Sequence, residues 1–435
     1  MIDRCLVAIL ISIIIVPTTA RAEDDDAAPA PSPAPTPGAE PVAADPHEPE
    51  APGVDKPPKR GKGHKNHKGK RDKDPQPGHD GDDGETAARG MGGEEDIEGD
   101  GKLEGRSPVT IGGRVFARGE LVDTDVAPWT GQMSLASARL GASYRWKDRL
   151  RVKAVVEAAG KNVKVRDAFV ETSAGGGLQV RAGRFKVPVS ALERESAWRL
   201  PTIDRGAVAV VLEDGIGLTG RRNGAAASWA ALADRVRVTA AASQSAATTG
   251  DEPARDVADG AGVSVSLRGE VASSTGVRVG VVGSNREVNY VADVGRYWAA
   301  GLDAEIDLEK AGLGLRLWAD VLVGTSHLGA SSSGEPTRFV AAQAVAGWRF
   351  GGAKKGKRYV EPYALGAYFN PDTGHRRDDL TDVIVGVAAG RWKRWRVQAQ
   401  LSVADVKANR PAGLGGFQVD VDDRTSASVQ LGAAF

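Results

Sequence analysis

The sequence predicts an all-β fold, a transmembrane antiparallel β-barrel of about 16 strands with a disordered N-terminal extension. Three observations support this expectation. Apolar and polar side chains alternate in many segments of about ten to thirteen residues between 106 and 435. Long and short connectors alternate between these segments, which is typical of outer-membrane barrels. The last alternating segment ends on an aromatic residue, Phe435.

Residues 1–22 have the pattern of a secretory signal peptide. Arg4 precedes an apolar run from 6 to 16, and Ala20-Arg21-Ala22 offers a cleavage site with small residues. The apolar run is shorter than the ~20 residues that span a bilayer, which favours cleavage over an uncleaved anchor helix. Cys5, the only cysteine, lies in this signal, so we expect no disulfide or cysteine-based metal site in the mature chain.

Residues 23–105 are predicted to be a disordered periplasmic extension. They are rich in Pro, Ala and charged residues and carry almost no large apolar side chains, so they cannot bury enough surface to fold. The basic block at 59–73 has two interpretations, contact with an anionic cell-wall polymer or membrane surface, or a solvated spacer. His64 and His67 could bind a metal weakly. Nucleic acid is not an expected partner in this compartment.

Residues 106–435 are predicted to form the barrel. At 395–403, apolar side chains at odd positions oppose Arg396, Gln398, Gln400 and Ser402. Downstream of the signal no segment approaches about 18 consecutive apolar residues, so strands must cross the membrane. A soluble β-sandwich also alternates, but its strands are typically only about five or six residues long.

The loop pattern predicts the order of the strands. We expect five strands before a long connector at 187–206, two strands within 207–243 and nine strands from 261 onward. The turn between the middle two strands lies either at Asn223-Gly224 or near Asp234. A further long connector is expected at 284–295. Long loops should face the outside and short turns the periplasm.

Two motifs resemble the phosphate-selective porin O and P family. They are Arg166-Asp167-Ala168-Phe169, similar to that family's KDA-aromatic motif, and the G-x-FK-x-P pattern of residues 183–188. The resemblance implies an outer-membrane porin for passive diffusion of small hydrophilic solutes or ions, without a cofactor, embedded in outer-membrane lipid and assembled as a homotrimer. Val189 stands where the family has an aromatic residue and Arg166 where it has lysine, which leaves the preferred solute open, with phosphate and other anions as candidates.

The polar faces and the long connector after Lys186, which folds inward in the resembling family, supply candidates for the pore lining. The basic candidates are Arg139, Arg145, Arg151, Lys153, Arg181, Lys186, Arg194, Arg199, Arg205, Arg316 and Arg396. Concentrated at a constriction, such groups favour anions. The connector also carries Glu193, Glu195 and Asp204, so the alternative is that the charges pair with each other and with the wall, leaving a weakly selective pore.

Two other classes of function remain as alternatives. One is a structural tether that grips the cell wall through the basic extension, although barrels of about 16 strands usually leave a channel. The other is a barrel hydrolase, disfavoured because only His327 and His375 follow the extension and no motif identifies a seryl partner. The run at 215–220 fits G-x-G-x-x-G but lacks a βαβ context, so we interpret it as small residues within a strand.

Overall fold

The described strands of the computed structural model form one antiparallel sheet that closes on itself. The structure describes residues 108–124, 128–147, 149–160, 162–245, 262–290, 293–326, 328, 336–351, 357–374, 378–408 and 423–435. Each strand pairs with the next along the chain, except that β12 and β13 both pair with β14. β1 pairs with β17 from Arg114↔Ala434 to Thr124↔Arg424. The predicted signal peptide and extension lie outside the described residues.

The strands run almost the full length of the described chain. They are β1 (Val109–Thr124), β2 (Thr130–Trp146), β3 (Leu150–Ala159), β4 (Asn162–Gly175), β5 (Leu178–Lys186), β6 (Arg221–Ala231), β7 (Val236–Gln244), β8 (Val263–Ala272), β9 (Val277–Tyr290), β10 (Asp293–Asp307), β11 (Leu315–Ser326), β12 (Thr337–Trp348), β13 (Phe350–Gly351), β14 (Arg358–Asn370), β15 (Asp378–Arg391), β16 (Trp395–Ala408) and β17 (Arg424–Ala434). Short helical turns are α1 (Ala191–Arg194), α2 (Ala207–Val210), a π-helical turn (Val211–Gly215) and a 3₁₀ turn (Leu308–Ala311).

The predicted count of 16 strands is confirmed. The two-residue β13 continues β12 beyond Arg349, and both pair with β14, so together they form one strand of the wall. Within the described residues, no helix is long and apolar enough to cross a membrane.

The predicted start of the middle two strands was wrong, and of the two predicted positions for their turn the one near Asp234 was right. The pair of strands expected within 207–243 begins only at Arg221, with its turn at 232–235, close to Asp234. Residues 207–215 instead form α2 and the π-helical turn, and the glycine-rich run at 215–220 is a bend rather than part of a strand. Most apolar residues at 207–215 are thus buried without being part of a strand. The helical turns pair backbone N–H and C=O groups within the segment, so these groups need no partner in the sheet.

The long connector expected at 284–295 was also wrong. β9 and β10 keep their ladder through this region, from Ile306↔Val277 to Asp293↔Tyr290. The polar residues at 284–289 suggested a loop, yet an outer-membrane strand that continues beyond the lipid needs no apolar face at its end.

The alternation of side chains matches a barrel with lipid outside and a polar lumen. On β16, Leu401 and Val403 are 55% and 50% exposed, whereas Gln398 and Gln400 are 0% and 5% exposed. The same alternation recurs on β14 and β17. Outward apolar and inward polar side chains are the reverse of a soluble protein, because the solvent around the strands is hydrocarbon.

Residues 187–220, hereafter the inner segment, fold into the lumen between β5 and β6. Their apolar side chains form one buried cluster with inward-facing residues of β9 to β16. Leu192, Val208 and Leu212 are fully buried and share this cluster with Trp318 and Phe369. Each such side chain contributes about 1.5–3 kcal/mol on burial, so this apolar side of the lumen holds the inner segment.

Replacing a buried side chain of the inner segment should loosen it without opening the barrel. For Leu212→Ala we expect a cost of about 2–5 kcal/mol in local packing, because a cavity replaces a fully buried side chain. Trypsin should then cleave faster at Arg199 or Arg205, while the melting temperature of the barrel stays close to that of the unaltered protein. Val210→Ala is the control, since Val210 is 40% exposed. Equal cleavage rates for both variants would contradict this packing.

Candidate functional site

Strands β2 to β6 bring a set of charged side chains together on one side of the lumen, hereafter the basic wall. Its members are Arg139, Arg151, Lys153, Glu157, Arg166, Asp167, Glu171, Arg181 and Arg221. Six of these residues are basic and three are acidic. The set therefore carries a surplus of positive charge.

A bulge in β4 creates part of the basic wall. Asp167 pairs with Val155 and Val165 pairs with Val156, so Arg166 is the extra residue between them. The insertion lets the consecutive residues Arg166 and Asp167 both face inward, where simple alternation would direct one to lipid. Arg166 bonds to Glu157, and Asp167 is 1% exposed.

The three carboxylates of the basic wall are each held by basic neighbours. Glu157 lies between Arg139 and Arg166. Asp167 is 3.2 Å from Lys153 Nζ and 2.6 Å from Arg221 Nε.

On the neighbouring strands, the guanidinium of Arg181 donates to Glu171 at 2.6 and 2.9 Å. Charge-assisted bonds of this kind hold the long side chains at fixed positions along the passage.

Aromatic rings position the wall's guanidinium groups. The Phe169 ring centroid lies 4.2 Å from Arg181 Cζ and 5.9 Å from Arg151 Cζ. Phe169 and Phe185 belong to one buried cluster. Gly183 has φ +123°, and a Cβ there would lie 2.2 Å from the Ala168 carbonyl oxygen, so glycine permits this close approach.

On the other side of the lumen, side chains of β16 bind the backbone of the inner segment. Arg396 donates to the carbonyls of Ala197, Trp198 and Leu200 at 2.9–3.1 Å. Gln398 donates to the Pro201 carbonyl at 2.6 Å. These contacts satisfy carbonyl groups that have no ladder partner and position the segment across the lumen.

The inner segment also has charged contacts with several strands. Arg194 lies 3.4 Å from Glu270 on β8, and Ser190 donates to Asp320 on β11 at 2.6 Å. Arg199 lies 3.0 Å from Glu195 and 3.4 Å from Glu305. The charges of the inner segment thus pair with each other and with the barrel strands, as in the alternative expected from the sequence for the connector after Lys186.

The structure divides the predicted pore-lining residues into two groups. Arg139, Arg151, Lys153 and Arg181 belong to the basic wall, with the exposed Arg145 opposite Arg151 in register.

The second group anchors the inner segment or its surroundings. Lys186 Nζ donates to the carbonyls of Arg194 and Glu195 at 3.1 and 2.8 Å, and Arg205 Nε donates to the Leu192 carbonyl at 3.3 Å. Arg316 binds Glu361 and the Arg199 carbonyl at 2.8 and 2.7 Å. Arg194, Arg199 and Arg396 have the contacts given above.

Sequence reasoning left Arg221 and Arg166 out of the pore lining. Arg221 stood in a region whose strand boundary was placed too early, and Arg166 was taken only as a departure from a motif. The Arg221-Arg222 pair directly after a glycine could have marked a strand start.

Most charged side chains of the lumen are tightly enclosed. Lys153, Asp167, Arg181 and Arg316 are only 1–2% exposed. Side chains and the inner segment therefore occupy much of the cross-section, and any passage beside the basic wall is narrow.

Glu193, in α1, is a titratable group of the inner segment. Burial raises its pKa to about 7, the Glu213 carboxylate adds to the effect, and Arg205 and Lys186 oppose it. Its oxygens lie 3.9 Å or more from the Arg205 guanidinium, and one of them is buried without a hydrogen-bond partner. The ionised form is thus disfavoured.

Residues 128–286 match the family model described as phosphate-selective porin O and P. The match includes both motifs, the basic wall and the inner segment. This part of the chain, about a third of its length, is therefore similar to the phosphate-selective porins O and P. The resemblance predicted from the sequence is confirmed, and the chain is an outer-membrane porin through which small hydrophilic solutes or ions diffuse passively. Family and fold point to a channel rather than an enzyme.

Solved porins share the fold of this porin at low sequence identity. An anion-selective porin from Comamonas acidovorans has a TM-score of 0.55 and 13% identity, covering 75% of this chain and 99% of that chain. The outer-membrane channel DcaP of Acinetobacter baumannii has a TM-score of 0.53 and 11% identity, covering 75% of this chain and 97% of that chain. OmpF of Salmonella typhi, in complex with daunomycin, has a TM-score of 0.51 and 12% identity, covering 75% of this chain and 98% of that chain. No curated protein matches the sequence.

The position of the inner segment should depend on pH through Glu193. A carboxyl group whose pKa is raised on folding binds more protons in the packed state, so packing weakens as pH rises from about 4.5 through 7. We expect trypsin to cleave the inner segment faster, relative to Glu193→Gln, at about pH 8.5 than at about pH 5.5.

The control variant is Glu287→Gln, whose side chain is 28% exposed and paired with Arg296. It should follow the unaltered protein at both pH values. A constant ratio between the unaltered protein and Glu193→Gln would show that Glu193 does not control the packing.

Proposed function

We propose that this porin passes small hydrophilic anions, such as phosphate, in preference to cations. The observation that carries the proposal is the basic wall, in which six basic side chains face three carboxylates. In a narrow lumen with low-dielectric surroundings, such a surplus attracts anions and replaces part of their hydration shell. The Comamonas acidovorans porin that shares this fold is anion-selective, which is consistent with this choice.

The orientation of the barrel supports a periplasmic extension. Val109 begins β1 at the end where β17 finishes, and Gly113 exchanges backbone hydrogen bonds with Phe435. The short turns, such as 232–235, lie at this end, which is periplasmic in outer-membrane barrels. We infer a signal peptide at 1–22, a periplasmic extension at 23–105 and a barrel from 106; in the periplasm the basic block at 59–73 is either a contact to the cell wall or a solvated spacer.

A homotrimer in outer-membrane lipid is the proposed assembly. A depression of about 690 Å³ lies on the outward side across β15, β16, β17, β1 and β2. Small residues such as Gly119 and Ala427 line it, together with Met133, which is 92% exposed. An apolar face of this shape suits contact with a second copy as well as with lipid chains.

The test is the ion selectivity of the refolded porin in planar bilayers. We expect small steps in chloride that phosphate reduces, and a reversal potential that favours anions. Arg151→Gln should lower the ratio of anion to cation permeability roughly fivefold, because one partly screened charge is worth on the order of 1 kcal/mol. Arg151 is 8% exposed and lies in the basic wall.

Lys407→Gln is the matched control, since Lys407 is 54% exposed at the far end of β16. It should keep the permeability ratio of the unaltered porin. A cation-selective reversal potential in the unaltered porin would refute the proposed preference. Absence of conductance in every salt would favour the structural tether.

A further inference from the structure

Arg286, on β9, is a buried cation without a counter-charge. It is 1% exposed, and its Nη2 donates to the Thr325 carbonyl at 3.0 Å. Its Nε and Nη1 are buried without a hydrogen-bond partner, and no carboxylate of the described residues lies within ion-pair distance. Keeping a buried charge without a partner is costly, so this site favours an anion.

Several other buried arginines of the barrel have carboxylate partners. Arg181 lies 2.6 Å from Glu171, and Arg316 lies 2.8 Å from Glu361. Arg268, one strand from Arg286, donates to Asp303 at 2.6 Å. Arg396 has no carboxylate partner among the described residues either, but three backbone carbonyls accept its hydrogen bonds, whereas Arg286 has one such carbonyl.

Side chains with hydroxyl groups lie opposite Arg286 on both neighbouring strands. Tyr297 pairs with Arg286 on β10, and its ring centroid lies 5.8 Å from Arg286 Cζ. On β8, Val265 pairs with Asn285, so the antiparallel register places Ser264 opposite Arg286. Ser264 shares a hydrogen bond of 2.9 Å with Ser245, and the inward Ser243 is next to it in register.

The site lies on the extracellular side of the packed inner segment. Val282 is on the same face of β9, four residues nearer the periplasm, and belongs to the buried cluster that holds the segment. A solute that enters from outside therefore reaches Arg286 before it reaches the constriction.

One cation among hydroxyl groups differs chemically from the basic wall. A single guanidinium balances one negative charge, as on a monocarboxylate, and serine hydroxyls can donate to and accept from hydroxyl groups of the solute. A multiply charged phosphate is better matched by the several cations of the basic wall. The Arg286 site therefore suits a hydroxylated monocarboxylate.

We propose that Arg286, Ser264 and Tyr297 bind small hydroxylated organic acids, with the guanidinium on the carboxylate and the hydroxyls on the rest of the solute. The role of this site in uptake rests on the proposed anion channel. The binding itself can be measured without conductance.

The experiment is calorimetric titration of the refolded, detergent-solubilised porin with gluconate and with acetate. Arg286→Gln should weaken gluconate binding about tenfold, because it removes a charge-assisted contact. Arg296→Gln is the control, since Arg296 is 76% exposed and paired with Glu287. Equal gluconate affinity in Arg286→Gln and the unaltered porin, or no gluconate binding by the unaltered porin, would overturn the proposal.

A second variant tests the site even if Arg286→Gln does not fold. Ser264→Ala removes one hydroxyl and leaves the charge, so it should weaken gluconate binding several-fold and leave acetate binding unchanged. Equal effects on both solutes would contradict recognition of the solute hydroxyls.

Bilayer recordings separate this inference from the proposed function. An anion-selective porin that gluconate neither binds nor blocks would refute the Arg286 site and leave the channel. Gluconate binding that depends on Arg286, in a porin without conductance, would refute the channel and support the site.

Discussion

The rest of this structure depends on the need to pair every backbone hydrogen-bonding group away from lipid. Hydrocarbon offers no partner for an open sheet edge, so β1 must meet β17. Closure in turn creates an inside and an outside. The period of two then directs Leu401 and Val403 to lipid and Gln400 and Ser402 to the lumen.

A closed wall of polar side chains raises a second problem, because charges in a narrow lumen lose much of their water. The structure answers it in two ways. Near β2 to β6, carboxylates such as Glu157 and Asp167 are each shared by two basic groups. Across the lumen, Arg396 is held by backbone carbonyls of the inner segment. The contacts that satisfy the Arg396 guanidinium thus also position the inner segment.

This division of the lumen explains how one barrel combines a firm constriction with a charged passage. The apolar cluster around Leu212 and Trp318 holds the inner segment against β9 to β16. The basic wall stands on the other side, with more positive than negative groups. In the proposed anion channel, attraction for anions comes from this surplus as a whole, since Lys153 and Arg181 are themselves paired.

The sequence determined the fold class, the number of strands, the lumen face of each clear alternating segment and the similarity of residues 128–286 to a porin family. These follow from local signals, namely the period of two, the connectors and two short motifs.

Only the tertiary structure decided which charges meet. Arg166 reaches the lumen through a bulge that simple alternation does not reveal. Lys186 reads as a pore cation in the sequence but binds carbonyls of α1 and the residue after it. In the sequence Arg286 resembles other strand arginines. The register places hydroxyl side chains opposite it and, among the described residues, no carboxylate. Pairing across strands depends on register and on loops that fold inward, and both are set by contacts between residues far apart in the chain.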